Sequence, residues 1–174
     1  NGEFLKAEVC VIAVGSKFNT KFLRGSGMEL KKDGSIDTNE YLETNIPDVY
    51  VGGDIANSPI FVNVNERATI GHYAVAQYHG RIAALNMLGI KTKLKTVPYF
   101  STHFFEHCFA YAGYGKATEV IIEGSLDDLR FSALYFDSTE KLIAIGAFQP
   151  QKIVSDIAEK MMEGAKFTKN EIIA

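Results

Sequence analysis

Gly52, Gly53 and Asp54 follow directly on the apolar run Val49-Tyr50-Val51, and these are the residues best placed to do chemistry. A short strand that delivers a glycine pair and a carboxylate at its C-terminal end lies where open α/β sheets bind their ligands. Glycines let the backbone approach a bound molecule without a Cβ in the way. Asp54 offers an acceptor to a hydroxyl, such as that of a sugar or ribityl chain. Taken locally, the same residues also suit an ordinary Gly-Asp turn. A second group, Gly71-His72-Tyr73, opens the clearest helical stretch of the chain. Free N–H groups and the positive end of the helix dipole favour an electron-rich partner at such a start. A third group, Val97-Pro98-Tyr99-Phe100-Ser101-Thr102, places two rings where the chain changes character; core packing between two parts of the chain is its plain reading.

Several elements must position these groups. Glu8 to Val14 reads as a strand covered on both faces, because it is β-branched and almost continuously apolar until Gly15. Cys10 within it reads as a buried, inert thiol. Lys32-Asp33-Gly34-Ser35 signals a turn, and a short extended stretch follows from Ile36 to Leu42. Val49 to Val51 is a second strand, and residues 55 to 67 read as a loop. From Ile70 to Leu88, Val75, Tyr78 or His79, Ile82, Leu85 and Leu88 recur at helical spacing, with Gly89 as the stop. His79 reads as helix surface or packing.

Lys91 to Thr96 is a polar hinge, and the composition turns β-rich after it, so a domain boundary is expected between residues 96 and 97. Residues 109 to 112 and 119 to 123 read as strands. Residues 131 to 136 and 142 to 147 read as a hairpin around Asp137-Ser138-Thr139-Glu140. Gln151 to Glu163 carries an apolar stripe that predicts a closing helix, and Thr168 and Glu171 have capping-box spacing.

Other chemistry is set aside. The net charge of -3 argues against a nucleic-acid role, which calls for a clustered basic face. No apolar run approaches the roughly 18 residues of a membrane span. Cys10 and Cys108 are too few for a disulfide framework or a four-cysteine zinc site. His103 and His107 have helical zinc spacing, but the stretch lacks helical periodicity and reads as a hinge loop leading into a strand. Ser101 and His103 lack the elbow and orienting acid of a nucleophile pair.

The stretch from Thr44 to Asp54 resembles the second flavin-binding motif of the FAD-dependent pyridine-nucleotide oxidoreductases. Thr44, Val49, Tyr50, Val51, Gly53 and Asp54 match at every defined position. The resemblance extends to Val11-Ile12-Ala13-Val14-Gly15, to the helix with His72, Tyr73 and Gly80-Arg81-Ile82-Ala83-Ala84, and to Val97-Pro98-Tyr99. Within that family the chain resembles the apoptosis-inducing-factor-like branch of the Rieske-associated type, through His79 to Leu88 and Tyr111-Ala112-Gly113-Tyr114-Gly115. Two departures stand out. Phe18 replaces a family proline, and Ser101 stands where the family often has Trp, in a chain with no Trp.

The resemblance implies an α+β chain: residues 1–96 as the later part of a Rossmann-like FAD-binding domain, and residues 97–174 as an antiparallel C-terminal interface-type domain. No GxGxxG is present, so the chain is expected to be the C-terminal portion of a longer enzyme. It implies FAD contacts from Gly53, Asp54, His72, Tyr73, Phe100 and Ser101, with Gly15 and Gly71 bordering the NAD(P)H side. No catalytic acid or base and no metal ligand is expected. NADH or NADPH would donate electrons, and an iron–sulfur protein of Rieske or ferredoxin type would be a partner. The rival expectation is a non-enzymatic module whose C-terminal part is a partner or homodimer surface. An intracellular location, mitochondrial or cytoplasmic, rests on the resemblance alone.

Overall fold

A computed structural model gives the structure of residues 2–149 and 151–173. The fold is α+β, with a three-stranded and a five-stranded sheet and few helices.

The smaller sheet contains β1 (Ile36–Asp37), β2 (Ala56–Ile60) and β3 (Asn63–Ala68), in the order β1-β2-β3. β1 runs parallel to β2, and β2 runs antiparallel to β3. The stretch read as a loop over residues 55 to 67 is therefore a hairpin. Its strand character was hidden because polar residues of β2 are held by specific partners. Asn57 is buried, its amide donates to the Asp37 carboxylate, and the Arg67 guanidinium donates to the carbonyls of Thr38 and Asn57. The Asn57 amide is the main cause that holds the Asp37 carboxyl below its usual range, against partial burial; Lys31 and Arg67 add to it. Ile36, Val51 and Ala56 form the small core beneath this sheet.

Helix α1 (Tyr73–Met87) starts three residues later than the apolar pattern suggests, with His72 as its N-cap. Its buried face is Val75, His79, Ile82, Ala83 and Asn86, whereas Leu88 is 75% exposed. Asn86 takes the place expected for an apolar residue because it is fully engaged. Its amide donates to the carbonyls of Tyr41, Ile82 and Thr92, and its oxygen accepts from the Thr92 N–H. That bridge ties the end of α1 to the polar segment leading into the second sheet.

The five-stranded sheet is antiparallel throughout, in the order β4-β5-β8-β7-β6. Its strands are β4 (Tyr99–Phe104), β5 (His107–Gly113), β6 (Glu119–Ser125), β7 (Arg130–Phe136) and β8 (Leu142–Phe148). The expected hairpin of residues 131–147 is present as β7 and β8. Asp137 fixes its turn by accepting from the N–H groups of Thr139 and Lys141. β4 and β5 form a further hairpin where the sequence suggested a hinge loop. Helix α2 (Gln151–Met162) covers one face of the sheet. Val154, Ile157, Ala158 and Met161 pack there against Ala110, Ala112, Leu134, Ile145 and Ala147. Fully burying each of the larger side chains stabilises by about 1.5–3 kcal/mol. The short helix α3 (Lys169–Ile172) begins with the Thr168–Glu171 capping box.

Alternation along the strands sends a different set of side chains to the other face. Phe100, Phe109, Tyr111, Phe131, Tyr135 and Phe148 lie there, linked by ring contacts. The two sheets meet where the Lys141 ammonium donates to the Val62 carbonyl at 2.8 Å, and the Val97 N–H just ahead of β4 donates to the Met162 sulfur at the end of α2 at 3.2 Å.

The first segment departs from expectation. Residues 8 to 14 form no regular strand, and Val9, Val11, Ile12 and Val14 are 79%, 87%, 77% and 88% exposed. Cys10 is exposed, not buried. A strand needs a hydrogen-bonded neighbour, and among the described residues none lies beside this segment. Val49 to Val51 is likewise not a strand of either sheet. It is held by a bridge from Tyr50 to Glu43 and by the Val51 N–H donating to the Leu42 carbonyl at 2.9 Å.

Candidate functional site

Thr44 organises the approach to Asp54. Its hydroxyl bonds within the Thr44–Ile46 turn, and its N–H donates to the Val49 carbonyl at 2.9 Å. The chain reverses through Pro47 and Asp48, whose φ of 63° an Asp tolerates. Val49 to Val51 then carries it across α1. At that crossing a Cβ on Gly52 would stand 3.1 Å from the Cβ of His79 and 3.5 Å from its carbonyl carbon. Only a residue without a Cβ passes comfortably. Gly53 has a φ of 77°, which permits the turn into the single 3-10 turn Gly53–Ile55.

The Gly53 N–H donates to Nδ1 of His79 at 3.2 Å. His79 is only 2% exposed, and burial pushes its pKa below the ordinary histidine value. The imidazole is therefore neutral at pH 7, which an acceptor Nδ1 requires. Asp54 is exposed at the end of the turn. Its Oδ2 lies 3.8 Å from the point where a Cβ on Gly71 would stand.

Gly71 leads into the start of α1. His72 caps the helix, its Nδ1 accepting from the Ala74 N–H at 3.3 Å. The first N–H groups of any helix have no carbonyl within it to bond. The His72 ring lies 4.7 Å from Tyr73, which is 74% exposed, and 6.1 Å from Phe100 on β4. Phe100 in turn stacks on Tyr111, with ring centroids 5.4 Å apart and planes at 24°. Burial is the main cause that raises the Tyr111 phenol pKa, and Tyr135 and Tyr114 add to it.

Gly53, Asp54, Gly71, His72, Tyr73 and Phe100 are thus linked through the Gly71 approach and the ring contacts. Ser101 and Gly15 are not part of that chain of contacts. Ser101 pairs with Ala110, and strand alternation turns it toward the α2 side, opposite Phe100. Gly15 lies in the exposed first segment, with nothing within 4 Å of a Cβ placed on it. His103 and His107 fall on opposite faces of the β4–β5 hairpin, since His103 pairs with Cys108 and His107 with Phe104.

Two residues of the site escaped the sequence. His79 stands seven residues after His72, about two helical turns, and was read only as helix surface or packing and as the start of a family pattern. Tyr111 was noted only within a strand and a subfamily pattern and not as part of the site, because its contact with Phe100 depends on β4–β5 register.

The donor set fits the polyol and ring-edge chemistry of a flavin. It combines an exposed acceptor on a glycine turn, a helix start facing it, and aromatic rings alongside. Among the described residues no helix is long and apolar enough to cross a membrane.

Residues 1–80 match the family model described as pyridine nucleotide-disulphide oxidoreductase. The chain is 38% identical over 173 residues to apoptosis-inducing factor 3 of Mus musculus, covering 99% of this chain and 28% of that protein. It thus spans little more than a quarter of that relative's length. Its fold matches a crystal structure of an FAD-dependent pyridine nucleotide-disulphide oxidoreductase from Desulfovibrio vulgaris, with a TM-score of 0.78 at 21% identity, covering 97% of this chain and 45% of that one. It also matches the putidaredoxin reductase–putidaredoxin complex, with a TM-score of 0.76 at 19% identity, covering 86% of this chain and 35% of that one. Over residues 1–80 the chain is thus similar to the pyridine nucleotide-disulphide oxidoreductases, and over nearly its whole length to apoptosis-inducing factor 3.

Proposed function

We propose that this chain is the C-terminal portion of a flavoprotein oxidoreductase, and that it supplies the ribityl and pyrimidine side of the FAD site. The observation that carries this is the approach of the Asp54 carboxylate to Gly71 at the start of α1. When bound, FAD would supply hydride acceptance from NADH or NADPH and electron release to an acceptor; the cofactor carries that chemistry.

The residues of the chain bind and orient. Asp54 accepts hydrogen bonds from ribityl hydroxyls. Gly53 and Gly71 keep the backbone low enough for close approach. The N-terminal turn of α1, opened by His72 and Tyr73, faces the electron-rich pyrimidine edge and favours added negative charge there. Phe100 closes the aromatic side of the site, and Tyr111 backs it. No side chain is assigned a proton-transfer role, because hydride transfer needs none.

The family resemblance carries Ser101, and Gly15 with Gly71 toward the nicotinamide, into the same proposal, although Ser101 and Gly15 stand apart from the contacts around Asp54. The division at residues 96 and 97 belongs to it as well and coincides with the passage from the first sheet to the second. An iron–sulfur electron partner is proposed on the likeness to the putidaredoxin reductase complex. The test is a titration with FAD followed by flavin fluorescence. Binding that weakens on Asp54→Ala supports the assignment, and binding indifferent to that change refutes it.

A further inference from the structure

We infer that His79 is a positioning residue for the cofactor turn: as a hydrogen-bond acceptor beneath Gly53, it holds Asp54 in the orientation that meets a ribityl chain. This rests on the flavin assignment of Asp54 and adds a role for a side chain that touches no ligand.

The geometry supports this from two directions. The Gly53 N–H points at Nδ1 of His79 at 3.2 Å. The glycine before it lies so close over His79 that a Cβ on Gly52 would come within 3.1 Å of the His79 Cβ. The turn is thus pressed onto the helix and pinned there by one directional bond. An apolar side chain of similar size would preserve the packing and lose the bond. The Gly53 N–H would then face a surface with no acceptor, and the turn would be free to lift.

The arrangement also couples the two halves of the site. His72 caps α1 where the ring edge would lie, and His79, two turns further along the same helix, clamps the turn that carries Asp54. A shift of α1 along its axis would move both together. The bond requires the neutral imidazole, because a protonated ring has donors only. The charged and titratable groups on the packed elements are Asp54 on the turn, His72, Tyr73, Tyr78 and Arg81 on α1, and Tyr50 against the neighbouring Ile82 cluster. Burial is the cause that keeps the ring neutral.

The test compares the chain with His79→Asn, whose Oδ1 replaces Nδ1 as acceptor, with His79→Leu, and with Asp54→Ala. Amide exchange of Gly53 and of Ile145 in β8 is followed by NMR, and FAD affinity by fluorescence. The expected result is Gly53 exchange about fivefold faster in His79→Leu, with Ile145 unchanged, and near-normal exchange in His79→Asn. FAD affinity should fall about fivefold in the Leu variant and recover in the Asn variant. Equal Gly53 protection in the wild type and the Leu variant overturns the inference. So does equal loss at Gly53 and Ile145, which would mark a general packing role. Should His79→Leu not fold, the through-bond 15N–15N coupling across the hydrogen bond from the Gly53 N–H to Nδ1 of His79 decides in the wild type. A resolved coupling between those two nitrogens supports the bond, and its absence refutes it. An Asp54→Ala variant with unaltered FAD affinity would sink the flavin assignment while leaving the exchange result to stand by itself.

Discussion

The Asp54 carboxylate and the Gly71 backbone face each other, with Oδ2 3.8 Å from the position a Cβ on Gly71 would occupy. One residue ends the glycine turn and the other opens the approach to α1, so a single ligand can touch both. Adding a methyl group at Gly71 narrows this gap. Gly71→Ala is expected to weaken FAD binding while leaving the melting temperature nearly unchanged, since no backbone strain is introduced there. A thermal melt beside a flavin titration separates the two effects.

Phe100 is the ring through which the second sheet reaches the helix start, lying between His72 and Tyr111. Phe100→Ala should cost about 3–5 kcal/mol if the ring behaves as fully buried, and less here because it is half-exposed. Its distinctive signature is a change in the environment of the His72 ring, read from the histidine proton resonances. Unaltered His72 resonances would show that the two sheets do not meet at this ring.

Much of the site was legible because its signals are local. The apolar run, glycine pair and carboxylate occur in one stretch from Val49 to Asp54, although that run is held by a single bridge and is not a strand, and the helix beginning at Tyr73 announces itself by periodicity. The rest depends on contacts between distant segments. Polar residues in β2 read as a loop because the partners of Asn57, on Asp37 and Arg67, lie elsewhere in the chain. His79 read as surface or packing because its acceptor role appears only when Gly53 crosses α1. Residues 8 to 14 show the opposite failure. Their pattern is that of a central strand, but propensity alone makes no strand without a neighbour to pair with.

Acidification should loosen the protein through His79. Its folded pKa is depressed by burial, so the unfolded chain binds the proton more tightly. The stability it contributes is complete above the unfolded value of about 6.5 and is lost as pH falls from there toward the folded pKa. Urea melts at pH 7.5 and pH 5 should show a smaller pH-dependent loss in His79→Asn than in the wild type. An identical loss in both would place the acid sensitivity elsewhere.

The core of the second sheet sets a larger scale. Phe136 is fully buried among β7, β8 and α2. Phe136→Ala is expected to lose about 3–5 kcal/mol, measured by urea denaturation. A loss below about 1 kcal/mol would mean that the β7–α2 packing described above is wrong.

Gly113 tests the sheet's register. Its φ is 100°, and a Cβ there would fall 2.2 Å from the Ile143 carbonyl oxygen. Gly113→Ala should cost at least about 1–3 kcal/mol from backbone strain alone, with the clash added. Wild-type stability in this variant would contradict the β5–β8 pairing at that end.

Retention of FAD tests the flavin assignment most directly. The chain, a version extended upstream in its own coding sequence, and the Asp54→Ala form of that version are each incubated with FAD, desalted and examined by visible absorption. The structure predicts that the extended protein stays yellow and that its Asp54→Ala form loses most of the flavin. An extended protein that never retains flavin, or one that holds it equally well without the Asp54 carboxylate, would contradict the assignment.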